Sequence, residues 1–319
     1  MTIAAGPVRS EPLFATPRVT AERRADGTIR LKSSVPLQAS ARCVGDWLEH
    51  WARQTPDKIF LGERGSVNAP WRTVTYAAAL RQVRSIASWI LAQGLSADHP
   101  LVILSDNGVD HALFMLAAMH VGVPAASISP AYSLMSRDFD KLKRMIGLLE
   151  PGAIHVASEK QFAPALAAIK PLHGAKVVAS NGESAIPFDR VASTPETPDV
   201  AKAFAAVTPD TIAKFLFTSG STGTPKAVIN TQRMLTSSQQ AKAQLWTFLE
   251  RTRDLVMLDW LPWSHTFGAN HNFNLVLRNG GTLTSTAASP RRGCLRPRSP
   301  ISGASCRRFT STCRAASTC

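Results

Sequence analysis

FLFTSGSTGTPKAVIN, residues 215–230, joins two apolar runs through a segment made almost wholly of hydroxyls and glycines. Phe215-Leu216-Phe217 and Ala227-Val228-Ile229 are aromatic and aliphatic runs that predict two strands with a tight loop between them. Gly220 and Gly223 let backbone N–H groups turn toward an anion where a Cβ would obstruct. Thr218, Ser219, Ser221, Thr222 and Thr224 add neutral donors, and Lys226 adds a mobile positive charge. Such a loop suits a polyphosphate. A Walker loop needs its lysine followed by Ser or Thr on a helix. Pro225 before Lys226 and Ala227 after it exclude that form.

Outside the loop, composition bounds the function classes. The 319 residues suffice for one large domain or two smaller ones, and 45% of them are hydrophobic, enough for a sizeable core. The formal net charge is +14, but residues 285–319 hold seven arginines and no Asp, Glu or Lys, which leaves +7 for the remainder. No basic stripe interleaved with aromatics runs through that remainder, so a nucleic-acid partner is not expected. Cys294, Cys306, Cys313 and Cys319 lie in the same tail without a C-x-x-C pair, which disfavours zinc. Only Cys43 belongs to the body, the pattern of a reducing, cytoplasmic setting. The N-terminus lacks a signal-peptide pattern, and His120, Gly122 and Pro124 interrupt the most apolar stretch, Ala112 to Ala126, so no membrane span is expected.

Along the chain, residues 1–40 predict an extended arm. Val44, Trp47, Leu48 and Trp51 share one helical face, and Ala79 to Leu91 give a long amphipathic helix that Gly94 stops. From Pro100 the pattern alternates. Strands are predicted at Leu101–Leu104, Pro124–Ser127, Ala153–Ala157 and Lys176–Ala179. Helices fall between them at Val109–Val121, Asp138–Leu149 and Gln161–Ile169. That alternation predicts an α/β fold, a mostly parallel sheet with helices on both faces. Pro187 to Pro209, rich in proline, reads as a linker. After the loop come a helix over Thr231–Trp246 and a strand over Leu255–Asp259. The strand leads into LPWSHTFGANHNFNLVL, where polar groups crowd among aromatics and His265 is the candidate functional residue at a pocket rim.

TSGSTGTPKAV resembles the phosphate loop of the adenylate-forming superfamily: acyl- and aryl-CoA synthetases, luciferases and peptide-synthetase adenylation domains. LPWSHTFG resembles the motif that comes after it in that family, and WRTVTYAAALRQV an early segment in which a Thr-Tyr step opens a helix. The resemblance implies an AMP-forming acid–CoA ligase whose co-substrates are ATP, a small carboxylic acid and CoA, with Mg²⁺ on the phosphates. It puts Thr218 to Thr224 and Lys226 on the ATP phosphates, and Thr218 also beside the Mg²⁺. His265, Phe267 and Gly268 fall at the acyl and nucleotide pocket. The body is most similar to feruloyl-CoA synthases, which activate hydroxycinnamates. A fatty-acid–CoA ligase and a non-catalytic nucleotide-binding remnant are the alternatives.

Past Leu283 the composition changes to Arg, Ser, Thr, Ala, Pro and Cys. Codons chosen for Cys306 to Cys319 give PTIYFNVPRGFDM in a shifted frame, a run with folded, β-rich character. The expectation is therefore a truncated adenylate-forming N-terminal domain over residues 41–283 and a disordered, out-of-frame tail over 284–319. The family's ribose-binding acidic residue and its C-terminal domain with a catalytic lysine have no matching positions, which implies an inactive chain with no catalytic residue retained.

Overall fold

The computed structural model describes residues 12–66, 68–218, 225–252 and 254–286. The expectations for Ser219 to Thr224, for residues 1–11 and for the tail from 287 onward lie outside the described residues.

Part of the N-terminal region is not simply extended. β1 (Val19–Arg23) and β2 (Ile29–Ser33) pair antiparallel, and Asp26-Gly27 makes the turn with Gly27 at φ +85°. That dipeptide is a strong local hairpin signal, carried here by residues otherwise dominated by Pro, Ala and Arg. α1 (Val44–Gln54) buries Val44, Trp47 and Leu48, as its apolar spacing requires. β3 (Ile59–Arg64) and β4 (Arg72–Thr75) come next as an antiparallel pair. α2 (Tyr76–Ala92) opens at the Thr-Tyr step: Thr75 Oγ1 accepts from the Ala78 N–H at 3.2 Å. The Tyr76 hydroxyl donates to the Gly281 carbonyl at 2.8 Å and so fastens the helix to a segment 205 residues away.

The alternating region forms β5 (Leu101–Ile103), α3 (Val109–His120), β6 (Ala125–Ser127), α4 (Ala131–Leu134), α5 (Asp140–Leu149), β7 (Ala153–Ser158), α6 (Glu159–Ile169) and β8 (Lys176–Asn181). Successive strand residues point to opposite faces, and the two sides pack into separate cores. Leu101, Ile103, Ala125, Ala153 and Val178 join the core that holds α1, α2 and α3. Val102, Ala126, Ile154, Val156 and Ala179 join the one that holds α5 and α6. Helices on both faces result from that alternation. Every residue of α3 is buried, Asp110, His111 and His120 included, so the helix has no solvent face. Among the described residues no helix is long and apolar enough to cross a membrane.

The linker expected over Pro187–Pro209 is instead structured. After the two-residue β9 (Ile186–Pro187) come α7 (Phe188–Ala192) and α8 (Pro198–Ala206). Pro198 stands in the first helical turn, where the missing N–H has no intrahelical partner to lose. Phe188, Val191 and Val200 are buried, so the prolines start helices here instead of breaking them.

β10 (Ile212–Thr218) and β11 (Lys226–Thr231) then form an antiparallel pair, succeeded by α9 (Gln232–Leu245), which Thr231 caps through Met234 N–H. The large sheet has the order β11–β10–β6–β5–β7–β8–β9, parallel throughout except at β10–β11. α10 (Phe248–Arg251) and β12 (Val256–Asp259) lead to a π-helical turn over Phe267–Asn272, then α11 (Phe273–Arg278) and β13 (Thr282–Thr286). A smaller sheet runs β12–β13–β3–β4. β13 continues past Leu283, where the composition changes. Its ladder with β12 and β3 holds through Thr284 and Ser285, because backbone pairing needs no apolar side chain.

Candidate active site

Thr218 and Lys226 face one another across the last rung of the β10–β11 ladder, so they frame the phosphate-loop segment at both ends. Both are exposed. Because β10 runs parallel to β6, Thr218 stands at the carboxyl end of the large sheet, with the ends of β5, β6, β7 and β8. Open α/β sheets bind ligands outside that edge. Mg²⁺ commonly binds through substrate phosphates, waters and one or two protein oxygens. An exposed threonine hydroxyl at the strand end fits such an ion, and among the described residues no group of three or more His, Cys, Asp and Glu would hold one alone.

The second motif leaves β12 at Asp259, a buried carboxylate that organises the loop beyond the strand. It accepts hydrogen bonds from the Leu261 N–H at 3.1 Å, the Trp263 indole N–H at 3.0 Å and the Asn272 amide at 2.8 Å. Burial still holds its pKa above the ordinary aspartate value. Asn107, in the turn after β5, clamps the same loop on both sides of Pro262. Its Nδ2 donates to the Leu261 carbonyl at 2.8 Å, and its Oδ1 accepts from the Trp263 N–H at 2.9 Å. His111 lies edge-on to Trp263 with ring centroids 5.2 Å apart. Burial drives its pKa down to about 3, so the ring is neutral between the Asp106 carbonyl and the Ser127 hydroxyl.

On this frame the three sequence-derived pocket residues part company. The side chain of His265 is exposed and makes no hydrogen bond among the described residues. Phe267 is exposed and stacks on His271, ring centroids 4.6 Å apart and planes 7° from parallel. Gly268 is buried, and a Cβ there would come within 2.5 Å of the Pro262 carbonyl oxygen, so only glycine lets the turn fold back on the loop. The turn Phe267–Asn272 is π-helical, a form that often marks functional sites.

Two contacts join the turn to the phosphate-loop hairpin. The Asn270 amide donates to Asn230 Oδ1 at 2.9 Å, and Lys214 Nζ donates to the Ala269 carbonyl at 3.2 Å. Lys214 and Asn230 are partners in the ladder, four residues below the Thr218–Lys226 rung. At roughly 3.4 Å per residue that is about 14 Å. Lys214 is buried without an ion pair among the described residues, and burial lowers its pKa to about 7. The structure thus brings both motifs to one hairpin. Asn107, Lys214, Asn230 and Asp259 escape the sequence reading. A charge inside the apolar strand run is a signal for Lys214 alone; turn asparagines carry no such mark.

The chain matches the AMP-binding enzyme family over residues 48–296 and belongs to it. It is 25% identical over 250 residues to the vibriobactin-specific 2,3-dihydroxybenzoate-AMP ligase of Vibrio cholerae, covering 77% of this chain and 44% of that protein. The large subunit of L-2-aminoadipate reductase from Eremothecium gossypii is 25% identical over 213 residues, 60% of this chain and 14% of its own length. The chain therefore spans less than half of these curated relatives. Among solved structures, the adenylation domain of a keto acid-selecting NRPS module bound to keto acyl adenylate aligns with TM-score 0.64 at 20% identity, covering 79% of this chain and 42% of that one. A fatty acyl-adenylate ligase from L. pneumophila, in complex with acyl adenylate and pyrophosphate, aligns with TM-score 0.59 at 20% identity, covering 77% and 40%. These likenesses are of fold: an α/β, mostly parallel sheet shared with adenylate-forming enzymes.

Proposed function

We propose that this chain carries the phosphate-binding part of an ATP-dependent, AMP-forming carboxylate ligase. What supports it is the closing rung of the β10–β11 hairpin: a threonine hydroxyl and a lysine ammonium, both exposed, flank the Ser/Gly/Thr segment at the carboxyl edge of a parallel sheet. In the first half-reaction a carboxylate oxygen attacks the α-phosphorus of ATP. The bond to the bridging oxygen breaks, and pyrophosphate leaves with its electron pair. Thr218 to Thr224 and Lys226 hold the departing phosphates, and Thr218 also helps hold Mg²⁺. The ion supplies charge neutralisation on those oxygens. Alignment and charge matter more here than a general base. In the second half-reaction the CoA thiol gives its proton to solvent, sulfur attacks the acyl carbonyl, and AMP leaves. His265, with Phe267 and Gly268 in its loop, borders the acyl pocket.

An aryl acid such as ferulate is the substrate class the sequence favours, with a fatty acid as the alternative. The Vibrio relative is named for an aryl acid and the Legionella structure for a fatty one. In the same proposal the reading frame changes near Thr284. Resequencing the gene through the codons for Gly281 to Thr284 tests that, and an unaltered frame removes it.

Titrating the 319-residue chain with ATP and Mg²⁺ tests the phosphate site, and acid-dependent pyrophosphate release is monitored in a version with the frame restored past Thr284. Lys226→Ala should weaken ATP binding and slow release by about 10²–10³, the usual cost of one charge-stabilising donor. Unchanged release in that variant overturns the role of Lys226. ATP binding with no acid-dependent release at all favours a nucleotide-binding remnant.

A further inference from the structure

A groove of about 270 Å³ opens between α1, α9 and α11, lined by Trp47, His50, Trp51, Thr236, Gln240 and Arg278. It shares no residue with the candidate active site. Trp47, His50 and Trp51 stand at i, i+3 and i+4, on one face of α1. The indole of Trp51 is fixed from two sides. Its N–H donates to the Arg278 carbonyl at 3.1 Å, and its ring lies so close over Gly280 that a Cβ there would come within 2.6 Å of it. His50 meets that indole edge-on, with centroids 4.7 Å apart. The α1 wall of the groove is therefore aromatic.

Arg278 supplies the charge. Its two hydrogen bonds go to neutral partners: Nη2 to Gln240 Oε1 at 3.0 Å and Nη1 to Asn279 Oδ1 at 3.4 Å. A guanidinium has five N–H donors, so most of the fork is unused, and no carboxylate pairs with it among the described residues. Glu250 attracts it only from beyond ion-pair distance, and burial lowers its pKa from the ordinary arginine value. A half-buried cation without a counter-ion, set among aromatic faces, is complementary to a planar anion.

We propose that this groove binds a small aromatic carboxylate, with the Arg278 fork on the carboxylate and the faces of Trp47, Trp51 and His50 against the ring. Guanidinium and carboxylate match in a bidentate way, whereas inorganic phosphate would leave the aromatic walls uncovered. The volume falls just under the range for drug-sized ligands, about 300–1,000 Å³, so a single-ring acid fits and a nucleotide does not. The proposal is independent of the adenylation chemistry.

The test is calorimetric titration of the 319-residue chain, without ATP or Mg²⁺, with cinnamate, its neutral amide, cyclohexanecarboxylate and inorganic phosphate. Cinnamate should bind saturably below about 10 mM, and the amide at least about tenfold more weakly, the value of one lost charged hydrogen bond. Cyclohexanecarboxylate and phosphate should also bind more weakly. Arg278→Gln should weaken cinnamate by about ten- to a hundredfold and His50→Ala by several-fold. Lys226→Ala and His265→Ala should leave it unchanged, which separates this groove from the candidate active site. Equal affinity for acid and amide, equal affinity in Arg278→Gln, or loss of binding in His265→Ala overturns the proposal. Should Arg278→Gln fail to fold, the acid-versus-amide comparison in His265→Ala decides: a preference for the acid kept there supports the groove, and its loss overturns the proposal.

Discussion

His265 and Lys214 stand at opposite extremes of solvation, although one short segment lies between their contacts. His265 is exposed, so its removal uncovers no core and leaves no buried partner unpaired. His265→Ala should change the melting temperature little, since surface substitutions usually stay within about 0.5 kcal/mol. If it borders the acyl pocket, acid selectivity or the thioester step should change instead. Equal losses with every acid, tracking a large fall in melting temperature, would make it a packing residue. Lys214 is the reverse case, a buried ammonium that, among the described residues, hydrogen-bonds only to a backbone carbonyl. Its folded-state pKa is about 7, against an ordinary value of 10.5. Between those values the unfolded chain holds a proton that the folded chain lacks. Stability should therefore rise with pH across that window, by up to about 1.4 kcal/mol per unit from this group. Urea unfolding at pH 7 and pH 9 should show the rise, and Lys214→Met should flatten it. An identical rise in the variant would mean that the ammonium is better solvated than its burial implies.

At the level of elements, periodicity exposed most of the fold, because apolar residues at helical or strand spacing face one of two cores. α1, α2 and the β5–β8 region were legible for that reason. α7 and α8 were not, since proline is ambiguous: it breaks a helix from within and starts one from the first turn. The π-helical turn had no sequence signal. Its form comes from tertiary hydrogen bonds, with Gln239 donating to the Asn270 and His271 carbonyls at 2.7 and 3.2 Å, and from the close approach at Gly268. The site divided in the same way. A run of hydroxyls and glycines ending in lysine is local chemistry and can be read. The clamp of Asn107 on a loop 154 residues away is contact made only by folding. Gly268→Ala should test the turn directly. The new methyl meets the backbone of Leu261 and Pro262, which cannot rotate aside as a side chain would, so the loop must move. A loss of about 1–3 kcal/mol is expected, with altered acid selectivity because His265 moves with the loop. Full stability in that variant would show that the turn relaxes without cost.

Across the whole molecule, three histidines lie inside the packed body, and each is neutral for the same reason. Burial pushes the pKa of His111 and His120 down to about 3 and that of His155 to about 4. His155 sits on β7 against Phe114 and Phe188, its Nε2 3.1 Å from the Ser180 hydroxyl. His120 stacks on Phe204 with centroids 4.0 Å apart. Its Nε2 is 4.0 Å from Glu49, too far to hold a proton against burial and the nearby Arg84 and Arg42. In the unfolded chain all three would titrate near 6.5. Below that pH the unfolded state binds protons that the folded state refuses, so the stability they contribute is complete above pH 6.5 and lost as pH falls toward 3–4. Exposed carboxylates titrate mainly below pH 5, which leaves pH 5–6.5 as a window where histidine dominates. Each imidazole should remove about 2 kcal/mol between pH 7 and pH 5. Denaturant unfolding at pH 7, 6 and 5 should show a steep loss over that interval, and His155→Phe should reduce its slope by about one imidazole's share. A flat profile from pH 7 to pH 5 would mean that these rings take up protons in the folded state, and that the body around α3 and β7 is wetter than its packing implies.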